Sequence, residues 1–361
     1  MKLCIKQSDF AQAFAIIARA VSARPTLPVL SHALLKAEGS HLLLCGTDLE
    51  VFITTAVRAE IEAEGSFTVP ARLLVDFVKA LPDEPIVMGL EDNALQLVCG
   101  KNDADIRGIP AEEFPLLPKQ PDAPQYHLDA PMLKQALEQV VFAAAVAESR
   151  PVLTGVHFHL ADNKLTLAAA DGFRLSVTSI EQTVKQPQAA IVPAKALTEL
   201  VKLLPDNDTC EFSIMDSRAH FSVADFSMDA QLIEGNFVNY RQIIPQQHAT
   251  KVLVDVAPLL STLKTANIIA RSADSLVDLS ISADRIDIST SAVDTGKYEA
   301  SVRATVEGEP LTIALNVQFL MQAVQAVDAE AVTMYFNDKA QPVKLESKNF
   351  THVIMPMHIR K

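Results

Sequence analysis

Residues 68–82 of the chain read TVPARLLVDFVKALP, and residues 191–205 repeat that stretch as IVPAKALTELVKLLP. Val69 and Val192 are therefore 123 positions apart, and a weaker third copy, LNVQFLMQAVQAV, begins another 123 positions along at Leu315. Apolar residues recur in these stretches at the spacing of one helix face, and a proline stands at the helix start in the first two. The repeat predicts three equivalent helices in three homologous domains.

Other landmarks keep the same interval. Asp48 in GTDLE, Asp171 in ADGFR and Asp294 in VDTGK are spaced 123 apart, and so are Phe114 and Phe237, each of which opens a connector. Aspartate readily bonds its own backbone, and a shared turn explains its recurrence in every unit better than catalysis does. We therefore interpret the three aspartates as turn residues that follow a strand. The expected domains are residues 1–123, 124–246 and 247–361.

Within each unit the hydrophobic period changes between that of a helix and that of a strand. Ser8–Ala20, with Ser8 as a candidate N-cap, and Ala71–Leu81 have helical spacing. Short runs rich in Val, Ile, Leu and Thr predict strands. In the first unit these runs are Leu42–Cys45, Val51–Thr55, Ile86–Met88 and Leu95–Val98. We expect an α+β fold of three repeated domains, each with two helices packed on antiparallel sheets of roughly eight strands.

The composition excludes several classes of protein. The chain has 361 residues, a length that is enough for two or three domains, and a net charge of −13. Its content of hydrophobic residues, 49%, is too high for a disordered protein. No apolar run approaches the ~20 residues of a membrane span. The cysteines form no C-x-x-C pair, which predicts reduced thiols and a cytoplasmic location; they are Cys4, Cys45, Cys99 and Cys210. The acidic excess, taken alone, argues against a nucleic-acid partner.

Motifs for catalysis and for cofactors are missing. The sequence has no GxxxxGK[ST], GxGxxG, HExxH or GxSxG pattern. His157 and His159 would share one strand face, but no triplet of cysteines or carboxylates accompanies them. We interpret them as surface or packing residues rather than metal ligands. The sequence predicts no catalytic residue, no metal and no cofactor, and an enzyme that uses the repeated aspartates is a disfavoured hypothesis.

Basic residues recur on the predicted helices. Arg72 and Lys195 are repeat equivalents, as are Lys79 and Lys202, and the spacing of seven places both members of each pair on one helix face. A solvated face of mixed charge explains any single helix equally well, since acidic residues lie on the same elements. The repetition favours a basic surface that the helices of a closed repeat would share.

Six motifs occur in a fixed order along the chain: RPTLPVL from Arg24, GTDLE from Gly46, TVPAR from Thr68, ADGFRL from Ala170, FxxYR from Phe237 and VIMPM from Val353. In these motifs the sequence resembles the bacterial DNA polymerase III beta subunits, the sliding clamps, from its first residue to its last. The family implies a head-to-tail homodimer of the DNA-clamp fold, whose six domains close a ring around duplex DNA with helices lining the hole.

The function that the resemblance implies is that of a processivity factor, not an enzyme. Such a ring tethers the DNA polymerase III alpha subunit and binds the clamp loader and other proteins that carry a clamp-binding motif. On a ring the acidic excess would lie on the outer rim, while a minority of Lys and Arg faces the hole. The alternative is a cytosolic repeat-domain scaffold without a DNA role.

The resemblance implies three functional surfaces. Sequence-independent DNA contacts would come from Arg24, Arg72, Lys79, Arg150, Lys195 and Lys202. A pocket for a short partner peptide, which carries Gln, Leu and a terminal Leu-Phe-like pair, would be lined by Leu153, Ala170, Gly172, Phe173, Arg174, Leu175, Val238, Gln242, Ile243, Val343, Val353, Met355, Pro356, Met357 and His358. The dimer interface would bring Ile106 of one copy against Ile268 and Ile269 of the other.

The chain departs from the family pattern at some of these positions. Phe173 stands where histidine is common and Gln242 where arginine is common, and the chain continues after Met357 as HIRK. These differences predict an altered peptide preference in a pocket that still accepts the general motif. Ala104 stands where the family can place an aromatic residue, which predicts a less firmly closed dimer.

Overall fold

The computed structural model describes residues 1–22, 25–147, 149–215 and 217–357. The chain divides into two compact units, here called the first unit and the second unit. The first unit consists of Met1–Pro131 with Glu199–Leu232, and the second of Met132–Thr198 with Ile233–Lys361. The middle third of the sequence therefore contributes to both.

The secondary structure repeats three times along the sequence. The first repeat contains β1 Lys2–Lys6, α1 Gln7–Ile17, β2 His32–Glu38, β3 His41–Thr47, β4 Val51–Arg58, β5 Glu60–Ala63, β6 Gly65–Pro70, α2 Ala71–Ala80, β7 Pro85–Glu91, β8 Ala94–Cys99 and β9 Asn102–Arg107. The second contains β10 Tyr126–Asp129, α3 Ala130–Val140, β11 Gly155–Ala161, β12 Lys164–Ala170, β13 Arg174–Glu181, β14 Gln188–Pro193, α4 Ala194–Leu203, β15 Thr209–Met215, β16 Arg218–Val223 and β17 Phe226–Gln231.

The third repeat contains β18 Thr250–Asp255, α5 Val256–Ala270, β19 Leu276–Ile281, β20 Arg285–Ala292, β21 Gly296–Gly308, β22 Leu311–Asn316, α6 Val317–Gln325, β23 Ala331–Phe336, β24 Val343–Ser347 and β25 Phe350–Ile354. The prediction of an α+β fold with two helices and roughly eight strands per repeat is confirmed within the described residues. The first repeat has one strand more, because β4 and β5 are separate where β21 is continuous.

Antiparallel sheets join neighbouring repeats. The first unit holds a sheet of order β5-β1-β7-β8-β9 and a second of order β10-β15-β16-β17-β4-β3-β2-β6. The second unit holds one sheet of order β14-β11-β12-β13-β25-β24-β23-β18-β21-β20-β19-β22. Strands of the middle repeat thus pair with the first repeat through β17 and β4, and with the third repeat through β13 and β25.

Each helix buries its apolar face on these sheets. In α1 the buried residues are Phe10, Ala13, Phe14 and Ile17, at helical spacing. In the third repeat α5 and α6 pack beside each other over the sheet, in a cluster that includes Leu259, Leu263, Leu320 and Val324. The predicted hydrophobic faces are therefore the faces that form the interior.

The predicted start of the first helix differs from the observed one. Ser8 is not the N-cap of α1, because strand β1 continues directly into the helix and Lys6 takes the cap position without a side-chain hydrogen bond. At the start of α6, the Asn316 side chain accepts hydrogen bonds from the backbone N–H groups of Gln318 and Phe319, at 2.9 and 3.1 Å. Both helices follow a strand directly, but Ser8 is the second residue of α1, whereas Asn316 stands at the junction itself, where its side-chain oxygen can cap.

Asp48 and Asp171 form the predicted turns with their side chains, and Asp294 lies in the turn between β20 and β21. The Asp48 carboxylate accepts hydrogen bonds from the backbone N–H groups of Glu50 and Val51, at 3.2 and 2.9 Å. The Asp171 carboxylate accepts from Phe173 and Arg174, at 2.9 and 3.0 Å. Each of these two aspartates therefore closes the hairpin that follows its strand.

The cysteines are free thiols, as predicted. Cys45, Cys99 and Cys210 are buried and Cys4 is half-buried. Burial raises the pKa of Cys45 and of Cys210 to about 12, so neither is a nucleophile at neutral pH. Among the described residues, no helix has the length and apolar character needed to cross a membrane.

Candidate functional site: an apolar pocket and basic helix faces

The second unit contains a cavity of about 210 Å³ with an apolar lining. It lies where β13 pairs with β25, with Leu175 opposite Val353. The residues that line it are Arg150, Leu153, Ala170, Gly172, Phe173, Arg174, Leu175, Val238, Ile243, Val353 and Met355. Phe173, Val238, Ile243 and Met355 remain exposed at its mouth, which leaves apolar surface ready to be covered.

A small hydrophobic cluster forms the floor of this pocket. Leu153, Ala170, Leu175 and Val353 are buried together with Tyr240. The mouth is shaped by a hydrogen bond of 2.8 Å from the Met355 N–H to the Phe173 carbonyl. Gly172 has a φ of +93°, a conformation that favours glycine in the tight turn between Asp171 and Phe173. The pocket is thus a rigid apolar floor with a flexible methionine at its edge.

Arg174 lines the pocket, but its guanidinium group binds to partners within the protein. Its Nε donates to Asp171 Oδ2 at 3.0 Å, its Nη1 to Gln322 Oε1 at 2.5 Å and its Nη2 to the Phe142 carbonyl at 2.6 Å. The guanidinium also lies 4.3 Å from the centre of the Phe319 ring. Burial lowers the pKa of Arg174 and Asp171 opposes that effect, so the group stays charged and positions the wall of the pocket.

Two histidines with lowered pKa values lie in the same unit, the buried His352 and the half-buried His157. His352 is fully buried, with Nδ1 at 2.7 Å from the Ser176 hydroxyl, and burial lowers its pKa to about 3, an effect to which the charge of Arg174 adds. His157 stacks on Phe237 with ring centres 5.1 Å apart, and burial lowers its pKa to about 4, with His159 adding to the shift. Both are neutral at pH 7.

These histidines should make the second unit sensitive to acid. In the unfolded chain a histidine protonates near pH 6.5, whereas in the folded chain both resist protonation down to their lowered pKa values. The contribution of the neutral histidines to the free energy of unfolding is therefore full above pH 6.5 and decreases as the pH falls. At pH 5 the decrease is about 2 kcal/mol for the fully buried His352 and smaller for the half-buried His157, which solvent screens. We expect His352→Gln to reduce the loss of unfolding free energy between pH 7 and pH 5, measured in urea, by the amount given for His352. The exposed control His41→Gln should leave it unchanged, and equal pH dependence in all three proteins would contradict the prediction.

Some residues predicted for the pocket lie outside its lining. Val343 is fully buried and pairs with Ile354, while Gln242 is exposed on a short 3-10 helix. Met357 donates its N–H to the Ala314 carbonyl at 2.9 Å, so it leaves the pocket, and Pro356 does not line it either. His358 lies outside the described residues. The remaining predicted residues line the cavity together.

Arg150 is a pocket residue that the sequence places elsewhere. The sequence predicts that it faces DNA, but it precedes the 3-10 helix Pro151–Leu153 and lies at the pocket mouth, with its Nη1 3.8 Å from the position a Cβ on Gly172 would take. The feature of the sequence that could have indicated this position is the closeness of Arg150 to Leu153, a predicted pocket residue. It is exposed, unlike Arg174, and so presents a positive charge to whatever enters.

The basic helix residues lie on accessible faces of α2 and α4. Arg72 and Lys79 are both exposed on α2, and Lys202 on α4 has a side chain 47% exposed. Lys202 donates to Glu199 at 2.6 Å, and Arg19 donates to the same carboxylate at 3.1 Å. These partners lower the pKa of Glu199 against the opposing effect of its burial. Lys195 is exposed at the start of α4, and Arg24 lies outside the described residues.

The predicted dimer residues differ in exposure. Ile106 on β9 is 5% exposed, so its side chain already belongs to the interior of the first unit. Ile268 on α5 is 61% exposed. Leu73 on α2, which the sequence analysis does not single out, is 55% exposed. Ile268 and Leu73 are therefore side chains with apolar area left to bury, and Ile269 lies beside the first of them.

The histidine pair on β11 packs against aromatic side chains. His157 and His159 lie with ring centres 5.8 Å apart, and within the described residues no group of three His, Cys, Asp or Glu side chains could hold a metal ion. The aromatic stack of His157 with Phe237 and Tyr240 agrees with the interpretation of a packing residue.

Comparison with known proteins matches one family along the whole chain. The family models of the DNA polymerase III beta subunit match residues 1–118 with the N-terminal domain, 127–239 with the central domain and 241–358 with the C-terminal domain. A beta sliding clamp of Synechococcus elongatus is 32% identical over the full length of both chains. A beta sliding clamp of Synechocystis is 30% identical over 99% of this chain and 100% of its own length.

Solved structures agree with the sequence comparison. The DNA polymerase sliding clamp of Bacillus subtilis superposes with a TM-score of 0.95 at 25% identity, over the full length of both chains. The DNA polymerase III beta subunit of Thermotoga maritima superposes with a TM-score of 0.92 at 27% identity, over 99% of this chain and 100% of that one.

Proposed function

The chain belongs to the DNA polymerase III beta subunit family, the beta sliding clamps, and from this membership we propose which of its surfaces carry out the work of a clamp. It is a non-catalytic processivity factor, a ring that encircles duplex DNA and tethers the polymerase and other clamp-binding proteins. We place it in the cytoplasm, where a bacterial replication protein meets its DNA. The observation that carries the function is the match of three successive clamp domains over the whole chain. Its test is topological: retention on circular DNA and loss from linear DNA.

The accessible basic faces of α2 and α4 support a DNA-facing role for Arg72, Lys79, Lys195 and Lys202. Attraction of this kind is directed at phosphates and carries no sequence information. The two faces differ in strength, because Lys202 already contributes to neutralising Glu199. We therefore assign the stronger face to α2. Arg24 and Arg150 complete the predicted set, and the position of Arg150 at the pocket mouth gives it a second candidate role.

Neutralising the α2 face should weaken the affinity of the unloaded clamp for DNA. For Arg72→Ala with Lys79→Ala, we expect the slope of log K against log salt to fall by about 0.9 for each phosphate that the variant no longer neutralises. Fluorescence anisotropy of a labelled duplex across a salt series measures that slope. Lys36→Ala with Lys164→Ala removes the same charge from exposed strand positions and serves as the control. An equal change in both variants would contradict a specific DNA face.

The pocket in the second unit is suited to an extended peptide with apolar side chains at its end. Its floor is apolar and buried, its rim offers Phe173, Val238, Ile243 and Met355, and the exposed Arg150 can pair with an acidic group. Because the guanidinium of Arg174 is engaged by Asp171, Gln322 and Phe142, we assign the selectivity for charge at this site to the exposed Arg150. A flexible methionine and an apolar floor favour a site that accepts several related sequences.

The pairing of strands within the chain provides a template for the dimer. We call each place where strands of two neighbouring repeats pair a seam. In the first seam, β4 pairs with β17 and Val51 lies opposite Ala230. In the second seam, β13 pairs with β25 and Arg174 lies opposite Ile354. Three equivalent hairpins provide the later strand of each pairing. The residue pairs that close them are Cys99–Asn102, Val223–Phe226 and Ser347–Phe350, and each pair lies 124 positions after the one before it.

The same register predicts how two copies meet. The positions equivalent to Arg174 and Ile354 are Lys297 on β21 and the partner's Ile106 on β9. Strand β9 is the edge of its sheet, so its outer backbone groups can pair with β21 of a second copy. A head-to-tail pair of this kind creates two identical junctions and closes. Two seams within each copy and one junction at each end give the six-domain ring.

A further inference from the structure

We propose that Asp76 of one copy and Lys297 of the next form an ion pair at each ring junction, and that this pair helps the chain to select a second copy of itself in head-to-tail orientation. The inference rests on the proposed dimer and deepens it. It comes from the chain's own two seams, in which one repeated helix position receives a guanidinium group from the preceding repeat.

The second seam shows the contact in full. Arg174, the first residue of β13, reaches helix α6, where its guanidinium donates to Gln322 and lies over the ring of Phe319. A third contact is the Phe142 carbonyl at the end of the first helical segment of the middle repeat. Thus a strand residue, which is anchored by a helix end of its own repeat, contacts two neighbouring positions on the second helix of the next repeat.

The first seam uses the same helix position. Glu199 on α4 accepts from Arg19 at 3.1 Å, and Arg19 lies just after α1. Glu199 and Gln322 are 123 positions apart, and so are Arg19 and Phe142. The acceptor is therefore an equivalent residue in both seams, while the donor comes from the helix end in one and from the strand in the other.

At the ring junction the equivalent acceptor is Asp76. It lies on α2, 123 positions before Glu199, and the position equivalent to Arg174 is Lys297, 123 positions after it. Lys297 is exposed in the single chain, and among the ion pairs of the described residues it contacts only the exposed Glu299 on its own strand. A surface pair of that kind contributes little and can be exchanged at small cost.

Apolar neighbours follow the same equivalence. Phe319, under Arg174 in the second seam, corresponds to Leu73 on α2. Phe142 corresponds to Ile268, because α5 is displaced by 126 positions from α3, as Leu137 and Leu263 show. Leu73 and Ile268 are strongly exposed in the single chain, at 55% and 61%. A pair of opposite charges beside two uncovered apolar side chains is the arrangement of a junction that a second copy covers.

The charges also exclude wrong orientations. Two α2 helices would bring Asp76 against Asp76, and two β21 strands would bring Lys297 against Lys297, and both arrangements repel. Only the head-to-tail arrangement places opposite charges together. The pair therefore acts on orientation as well as on affinity.

Charge reversal and charge exchange test the pair in the full-length chain. We expect Asp76→Lys and Lys297→Asp each to raise the dimer dissociation constant about tenfold, which is about 1.4 kcal/mol spread over two identical junctions. The double variant, with the charges exchanged, should return to within about threefold of the original value, as a double-mutant cycle requires for a direct pair. Sedimentation velocity over a dilution series measures these constants. In an equimolar mixture of the two single variants, heterodimers should form preferentially, because both of their junctions bring opposite charges together.

Matched controls separate this pair from a general charge effect. Asp83→Lys and Lys339→Asp make the same charge changes at exposed positions outside the junction and should leave the dissociation constant unaltered. If the single variants weaken dimerisation and the double variant weakens it further, the two residues do not pair and the inference fails while the dimer stands. If the original chain stays monomeric at every concentration, the proposed dimer itself fails.

Discussion

We expect the loaded clamp to be released when the circular DNA that carries it is linearised, and to be retained on the uncut circle. The clamp holds DNA by encircling it, so dissociation from a circle requires a junction to open, whereas a linear molecule offers two free ends. We expect the dissociation rate from the cut DNA to exceed that from the circle by at least about a hundredfold, since residence times of complexes span ms to days. Gel filtration of labelled clamp with nicked circles, before and after cutting, measures both rates.

Salt separates topology from affinity in the same experiment. Unloaded clamp holds DNA only through phosphate attraction, so its binding should fall steeply between about 50 mM and 200 mM salt. Loaded clamp on the circle should survive that change, because its escape is limited by ring opening. Blocking both ends of the linear DNA with bound protein should restore retention. Equal loss from circles, blocked linear DNA and free linear DNA would show that the chain does not form a closed ring on DNA.

Removing the rim of the apolar pocket should weaken partner binding strongly without disturbing the fold. Met355 and Ile243 line the pocket and are both 39% exposed, so Met355→Ala with Ile243→Ala takes away contact area and leaves the buried floor in place. Truncating two such side chains costs about 2 kcal/mol or more, a loss of about 30-fold in affinity. Fluorescence anisotropy with a labelled peptide that carries Gln, Leu and a terminal Leu-Phe pair measures the change.

Met357 provides a matched control two residues away. It is 38% exposed, as Met355 nearly is, but its backbone bonds to Ala314 and its side chain does not line the pocket. Met357→Ala should therefore leave peptide affinity within about twofold, in contrast to the pocket variant. Dimerisation should be unchanged in both proteins. If Met357→Ala weakens binding as much as the double variant, the peptide follows the terminal segment and not the pocket.

The repeat was readable from the sequence because it depends on local pattern. Helices α2 and α4 begin immediately after Pro70 and Pro193, as the repeated stretch predicts, and the turns of Asp48 and Asp171 occur where the interval of 123 places them. Spacing of apolar residues fixes which face of a helix is buried, and this requires no knowledge of distant parts of the chain. Catalytic motifs are also local patterns, so the sequence analysis could search for them and predict a protein that is not an enzyme.

Pocket membership was only partly readable. Leu153, Leu175 and Val353 were predicted and do line the cavity, whereas Met357 was predicted beside Met355 and lies outside it. Two methionines separated by a proline look equivalent in sequence. Their difference arises from the hydrogen bond of Met357 to a strand of the third repeat, which depends on where the chain lies after β25.

The sequence by itself determined the three domains, the α+β class, the helix faces and the family, because each of these is encoded in local periodicity or in motifs. Only the tertiary structure decided that Arg174 bonds to Gln322 and Phe142 while Arg150 lies exposed at the pocket mouth. The physical reason is sequence distance: Arg174 and Gln322 are 148 positions apart, and they meet because β13 pairs with β25 in one register. Strand register is a collective property of the sheet, so the fate of a single arginine cannot be read from its neighbours along the chain.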